Sequence, residues 1–207
     1  MPVETTSLWI LFEEPSATEA GRILVPKVLG PNHPPVYYIQ HQCKADLLNR
    51  LPGLLRGYSR TLNPGDKVVV LIDKDREDCK ELKERLEEFV RKAGFLSAAG
   101  RTGTRRVFVR IAVEELEAWY FGDWAAVCQA FPNVPETIPS KSRFRDPDDI
   151  RGGTKEAFER ILQRAGYYRT GVPRIEVARR IAQFMDPAQN TSRSFQLFRD
   201  TLQKLVS

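Results

Sequence analysis

Apolar and polar positions divide this chain into two regimes. Over the first 113 residues, short continuous apolar runs alternate with stretches in which apolar residues recur every three or four positions. Ser7-Leu8-Trp9-Ile10-Leu11-Phe12 is such a run, as expected of a strand covered on both faces of a parallel sheet. Ser16, with Glu19 three residues on, has capping-box spacing and predicts a helix through Ile23, Val25 and Val28. Val36 to Ile39 predicts a second strand. Lys44 to about Tyr58 carries leucines at 47, 48, 51, 54 and 55 and predicts a helix that Pro52-Gly53 kinks or divides. Lys67 to Asp73 (KVVVLID) is the strongest strand signal. Asp78, a helix cap, opens a helix to Gly94 with Leu82, Leu86, Phe89 and Val90 on one face and Glu81/Arg85, Glu87/Arg91 and Glu88/Lys92 at i,i+4. Arg105 to Val113 (RRVFVRIAV) supplies a fourth strand.

The rest of the chain is helical in pattern. Glu115 to Ala130 predicts one helix, and Pro132 to Gly153 a loop rich in Pro and Asp. Three further helices are marked by Phe158/Ile161/Leu162/Ala165, by Val177/Ala178/Ile181/Ala182/Met185 and by Phe195/Phe198/Leu202/Leu205. Strand-helix units closed by a strand predict an α/β fold: a parallel sheet of about four strands flanked by helices, with a C-terminal helical extension. The expected division is residues 1–125 and 126–207, or a single compact domain.

Composition narrows the class. With 42% apolar residues the chain is globular, and no apolar stretch approaches the roughly 20 residues of a membrane span. A cytoplasmic protein that does not enter membranes is expected. Cys43, Cys79 and Cys128 are scattered and support neither a disulfide framework nor a zinc site. His33 and His41 lack partners at metal-ligand spacing. The net charge of +5 comes from the second half, where residues 99–207 carry 15 Arg and 3 Lys against 13 Asp and Glu. Guanidinium forks suit phosphate and carboxylate, so an anionic partner fits that side, though solvated helix faces would give the same balance.

Acids gather where predicted strands end. The first strand runs into Glu13-Glu14, the third into Asp73-Lys74-Asp75, and the fourth leads to Glu114-Glu115-Leu116-Glu117. Ligands of open parallel sheets bind beyond the carboxyl ends of the strands. Carboxylates converging there repel one another unless a cation neutralises them. A hard divalent ion would do so, since Mg²⁺ takes one or two protein carboxylates and completes its shell with water and phosphate. Glu117 would equally serve as the acidic first turn of a helix.

A strand ending in Glu, further strand-helix units and a strand ending in D-x-D resemble the Toprim fold of topoisomerases, primases and the overcoming-lysogenization-defect nucleases. In those nucleases the first motif commonly reads E-G-P-[ST]-[DE]. Here Glu13-Glu14-Pro15-Ser16-Ala17 keeps the first, third and fourth positions and replaces the others. Asp73-Lys74-Asp75 matches D-x-D, and Glu115-Leu116-Glu117-Ala118-Trp119-Tyr120 looks like the later acidic-aromatic motif. Over most of its length the chain is similar to the DUF4276 family, through EEPS, DKDREDCKELKERL, RIAVEELEAWYFGD, YYRTGVPRIEVARRI and SRSFQLF.

The resemblance implies a Toprim-type nuclease dependent on Mg²⁺ or Mn²⁺, acting on DNA or RNA, with an ATPase partner in phage defence. Glu13 and Asp73 would be catalytic, and Glu13, Glu14, Asp73, Asp75 and Glu117 would hold metal. Arg143, Arg145 and Arg169 are candidates for contact with the nucleic-acid backbone. Two alternatives stay open: an inert Toprim-like module that binds nucleic acid or an ATPase, and a receiver- or phosphatase-like domain phosphorylated at Asp73. The tyrosines offer no assignable nucleophile, and no P-loop motif is present.

Overall fold

The structure, a computed structural model, describes residues 4–74, 77–95, 105–112 and 115–206. Among these, four strands form one wholly parallel sheet in the order β2-β1-β3-β4, with β1 Leu8–Phe12, β2 Val36–Gln40, β3 Lys67–Asp73 and β4 Val107–Ala112. Eight α-helices surround it among the described residues: α1 Pro15–Leu29, α2 Lys44–Thr61, α3 Cys79–Lys92, α4 Leu116–Gly122, α5 Trp124–Ala130, α6 Thr154–Arg164, α7 Arg174–Phe184 and α8 Arg193–Val206.

The alternation of side chains along each strand explains the layering. Leu8, Ile10, Phe12, Val69 and Leu71 face α1 and the helices of the second half. Leu11, Val68, Val70 and Ile72 face α2 and α3. β3 is buried along all its length, which its unbroken apolar run requires. Residue 125 lies inside α5, and one hydrophobic core runs from Leu8 through Trp119 and Phe158 to Leu205. None of the described helices is long and apolar enough to cross a membrane.

Several local expectations are corrected. Ser16 does not cap α1; Pro15 occupies its first position with Glu14 as N-cap, and the Ser16 hydroxyl donates to the Glu14 carboxylate. Glu19 serves tertiary packing instead, accepting from Arg179 at 2.8 Å. Pro52 lies within an undivided α2, whose Leu47, Leu51 and Leu55 form one buried stripe. Of the three ion pairs expected on α3, Glu88–Lys92 forms at 2.9 Å, whereas Arg85 reaches Glu77 and Glu87 is taken by Arg105. The expected helix 115–130 is two helices, broken at Gly122-Asp123. Asp78 does cap α3, accepting from the N–H groups of Lys80 and Glu81.

α8 runs against the strands. Its last turn lies beside Thr5, which precedes β1 and donates to the Leu205 carbonyl, while Thr201 meets Arg110 of β4. The N-terminus of α8 therefore reaches the carboxyl edge of the sheet.

Candidate active site at the carboxyl edge of the sheet

β1 is followed by β2 on one side, whereas β3 is followed by β4 on the other, so the gap between β1 and β3 is the topological switch point of the sheet. Crevices of this kind hold the ligands of open α/β sheets. Glu13 leaves β1 there and Asp73 ends β3 there, both buried.

The two are joined by a substitution in the ladder. Lys67 N–H donates to the Ser7 carbonyl at 2.9 Å, and a parallel ladder repeats such a bond at every second residue. Asp73 N–H thus stands where the Glu13 carbonyl would be its acceptor. The strands part at that point, and Oε2 of the Glu13 side chain accepts from Asp73 N–H at 2.7 Å instead. A buried carboxylate is thereby fixed on the exit of β3. His41, buried just past β2, donates from Nδ1 to the Phe12 carbonyl at 3.0 Å and closes the end of β1. Lys44, the first residue of α2, holds the far side: its Nζ donates to the carbonyls of Asp73 and Lys74 at 2.7 and 3.0 Å and pairs with Glu77 at 3.0 Å.

A second group lies on the α1 side. Arg174, the first residue of α7, reaches both oxygens of Glu14 at 3.0 and 3.1 Å and one oxygen of Glu117 at 3.8 Å. α1 and α7 run side by side in the same direction, since Arg174 meets Glu14, Arg179 meets Glu19, and Lys27 donates to the last carbonyls of α7. Both N-termini therefore open at this edge. Burial pushes the Glu117 carboxyl up to about 7, with Arg174 acting in the opposite direction. Its Oε2 is buried with no hydrogen-bond partner, as is Nε of Arg174. Although burial opposes it, the carboxylates of Glu117, Glu14 and Glu115 hold Arg174 above its ordinary value. Glu115 is turned away, accepting from Thr154 and from the Lys155 N–H at the start of α6.

Of the residues expected at the site, the Glu13 carboxylate is held on the backbone N–H of Asp73, and Glu14 and Glu117 are joined through Arg174. Asp75 and Glu114 lie outside the described residues. Arg169 is exposed in the loop leading to α7, and Arg143 and Arg145 are exposed in the loop between α5 and α6. Arg174 and Lys44 were not singled out from sequence. Their signal was a local conflict: a cation in the first turn of a helix opposes the macrodipole, so it needs a tertiary partner to justify it.

The donors decide how a divalent ion would fit. Among the described residues no three His, Cys, Asp or Glu side chains converge as a ligand set. Glu13 and Asp73 offer hard carboxylate oxygens in the number that Mg²⁺ takes from protein when phosphate and water complete its shell. Glu14 and Glu117 already have a counter-ion in Arg174.

Comparison with known families places this geometry. A family model described as "Domain of unknown function (DUF4276)" matches residues 12–205. The chain belongs to the DUF4276 family. The fold of this DUF4276 protein is also that of solved structures. The C-terminal region of the Xanthomonas campestris pv. campestris OLD protein aligns with a TM-score of 0.51 and 13% identity over 98% of this chain and 96% of that one. The C-terminal region of the Burkholderia pseudomallei OLD protein gives 0.51 and 14% over 98% and 99%. The likeness of fold thus covers nearly the whole DUF4276 chain, second half included. No curated protein matches the sequence.

Proposed function

We propose that this DUF4276 protein is a Toprim-type nuclease, hydrolysing phosphodiester bonds of DNA or RNA with Mg²⁺ or Mn²⁺ held by Glu13 and Asp73. The observation that carries this reading is the Glu13 carboxylate seated on the Asp73 N–H at the switch point of the sheet. When bound, the ion would supply Lewis acidity toward a phosphate oxygen and a more acidic water. The chain's own residues do the rest. Glu13 is fixed before substrate arrives, because its hydrogen bond and burial leave it little rotamer freedom. The N-terminus of α7 directs positive potential to where a phosphate would enter, while the guanidinium of Arg174 is already engaged by Glu14 and Glu117. An ATPase partner and a role in phage defence inside the cytoplasm complete the proposal by family resemblance.

One observation favours a second reading. Arg174 neutralises Glu14 and Glu117, as expected if part of an ancestral acidic site has become a salt-bridged core in a module that only binds nucleic acid or an ATPase. Cleavage assays with Mg²⁺ and with Mn²⁺, on single- and double-stranded DNA and RNA, with and without a co-expressed ATPase, separate the two. A nuclease loses cleavage in Glu13→Gln and in Asp73→Asn while still binding nucleic acid. Wild type as inactive as both variants under every condition would leave the binding module.

A further inference from the structure

Away from the acids, the loop between α5 and α6 and the start of α8 enclose a cavity of about 610 Å³ lined by Arg143, Arg145, Arg151 and Arg193 together with Asp146 and Asp149. Its walls are fixed from below. Phe144 is buried and stacks on Phe121 at 5.4 Å, and the Arg143 guanidinium lies 4.8 Å from the Phe144 ring while donating to the Arg151 carbonyl. Asp148 ties the loop to α8, accepting from Arg193 N–H at 2.6 Å and from the hydroxyls of Ser192 and Ser194 at 3.0 and 2.7 Å. The floor is thus packed and hydrogen-bonded, while the arginine heads are exposed.

The charge of this cavity is unbalanced. Among the described residues none of these four guanidiniums forms an ion pair, even with Asp146 and Asp149 on the same wall. Arginines without an ion pair among the described residues also occur elsewhere, as at Arg56 and Arg60 on α2, but here four of them line one concavity. Like charges gathered round a concavity repel unless an anion enters, and planar guanidinium forks match phosphate oxygens. Position adds a second reason. From Thr201, which touches β4 at Arg110, α8 rises about 12 Å to Arg193, at roughly 1.5 Å per residue. This carries Arg193 past the end of β4, so the cavity lies toward the end of the sheet that holds Glu13 and Asp73.

We infer that this arginine cavity holds backbone phosphates of a nucleic-acid strand whose reacting phosphate lies at Glu13 and Asp73. The inference rests on the phosphodiester reading of the acidic site and adds to it the surface that retains the substrate. It assigns Arg151 and Arg193 to binding alongside Arg143 and Arg145, and leaves Arg169 outside the cavity.

The test measures binding without cleavage. In EDTA, a labelled 20-nucleotide DNA strand and its RNA equivalent are titrated with the full chain, with Arg143→Ala/Arg193→Ala, and with Arg56→Ala/Arg60→Ala, which removes the same charge from the exposed surface of α2. The cavity variant is expected to bind roughly ten-fold or more weakly, with the slope of log K against log salt reduced by about 1 to 2, because each lost phosphate contact removes close to 0.7 from a single-strand slope. The α2 variant should bind like wild type, and Asp149→Asn should bind more tightly. Unfolding midpoints confirm that the variants are folded. Equal losses in the cavity and α2 variants, unchanged binding in the cavity variant, or no binding by wild type would each overturn the cavity assignment. Cleavage by wild type that Asp73→Asn abolishes would preserve the nuclease reading in each of those cases. Loss of binding confined to the cavity variant, without cleavage by wild type, would support the cavity and remove the nuclease.

Discussion

At Glu117 a carboxyl group meets two opposing demands: burial in the aromatic core beside Tyr120, which favours the neutral form, and Arg174, which favours the charged one. Burial wins, and the group titrates near 7 against an ordinary value of 4.5. Between those values the folded chain keeps a proton that the unfolded chain has released. Stability therefore falls as pH rises from about 4.5 to about 7 and is level on either side of that window, as far as this residue is concerned. Glu117→Gln cannot ionise and has nearly the same shape as the protonated acid. It is expected to match wild type at pH 4 and to exceed it at pH 8 by up to about 3 kcal/mol, since every pH unit between the two values contributes about 1.4 kcal/mol. Urea denaturation at the two pH values measures this. A stability difference that does not change with pH would mean that Glu117 titrates as an ordinary carboxyl. The same residue shows where sequence stops: Glu117 at the start of a helix reads equally as a metal ligand or as dipole complementation, and only the approach of Arg174 from a helix 57 positions later decides what neutralises it.

Elements were legible wherever local pattern and tertiary demand agree. β3 and α3 follow their apolar periods, and α6, α7 and α8 do as well. The misread stretch is the helix expected from Glu115 to Ala130, where nothing in the periodicity signals a break. The break comes from elsewhere in the chain. Thr191 N–H donates to the Gly122 carbonyl at 2.9 Å, Asn190 donates to the Trp119 carbonyl at 2.8 Å, and Asp123 caps α5 through Ala126 N–H. Asp123 also accepts from Asp186 N–H at 2.7 Å, drawing the end of α7 onto the same joint. Gly122 is required because a Cβ there would lie 2.2 Å from Asn190 Oδ1 and 2.7 Å from the Ser192 backbone nitrogen. Gly122→Ala must move backbone, and it is expected to destabilise by about 1 to 3 kcal/mol, as overpacked cores do. Calorimetry should register a fall of several degrees, at roughly 2 to 4 °C per kcal/mol for a chain of this size. An unchanged midpoint would show that the segment 190–192 yields without cost.

For the whole molecule, the order of apolar runs was enough to predict a parallel sheet, and the acids at its strand ends pointed to the carboxyl edge. That edge holds two groups of acids, Glu13 with Asp73 and Glu14 with Glu117, the second of which is paired with Arg174. Arg174 and Lys44, each on the first turn of a helix, were hidden because their partners lie far away in sequence: Arg174 meets Glu14 and Glu117, and Lys44 meets Glu77 and the carbonyls at the end of β3. If Glu13 and Asp73 hold the divalent ion while Arg174 serves Glu14 and Glu117, metal binding should depend on one group and metal-free stability on the other. Mn²⁺ binds the folded state alone, so it raises the unfolding midpoint of wild type by an amount set by RT ln(1 + [L]/Kd), about 2.7 kcal/mol at a hundred times Kd. Asp73→Asn should lose that rise while its metal-free midpoint stays equal to wild type or slightly above it, because an acid beside Glu13 has been neutralised. Arg174→Met should do the reverse. It leaves Glu14 and Glu117 without their cation and lowers the metal-free midpoint, by less than the roughly 3 to 5 kcal/mol of a fully buried pair because Arg174 and Glu14 are only half-buried, while the Mn²⁺ increment persists. Scanning calorimetry of the three proteins, with and without Mn²⁺, gives both quantities in one experiment. An undiminished Mn²⁺ increment in Asp73→Asn would take Asp73 out of the metal site, and an increment lost only in Arg174→Met would move the ion to the α1 side.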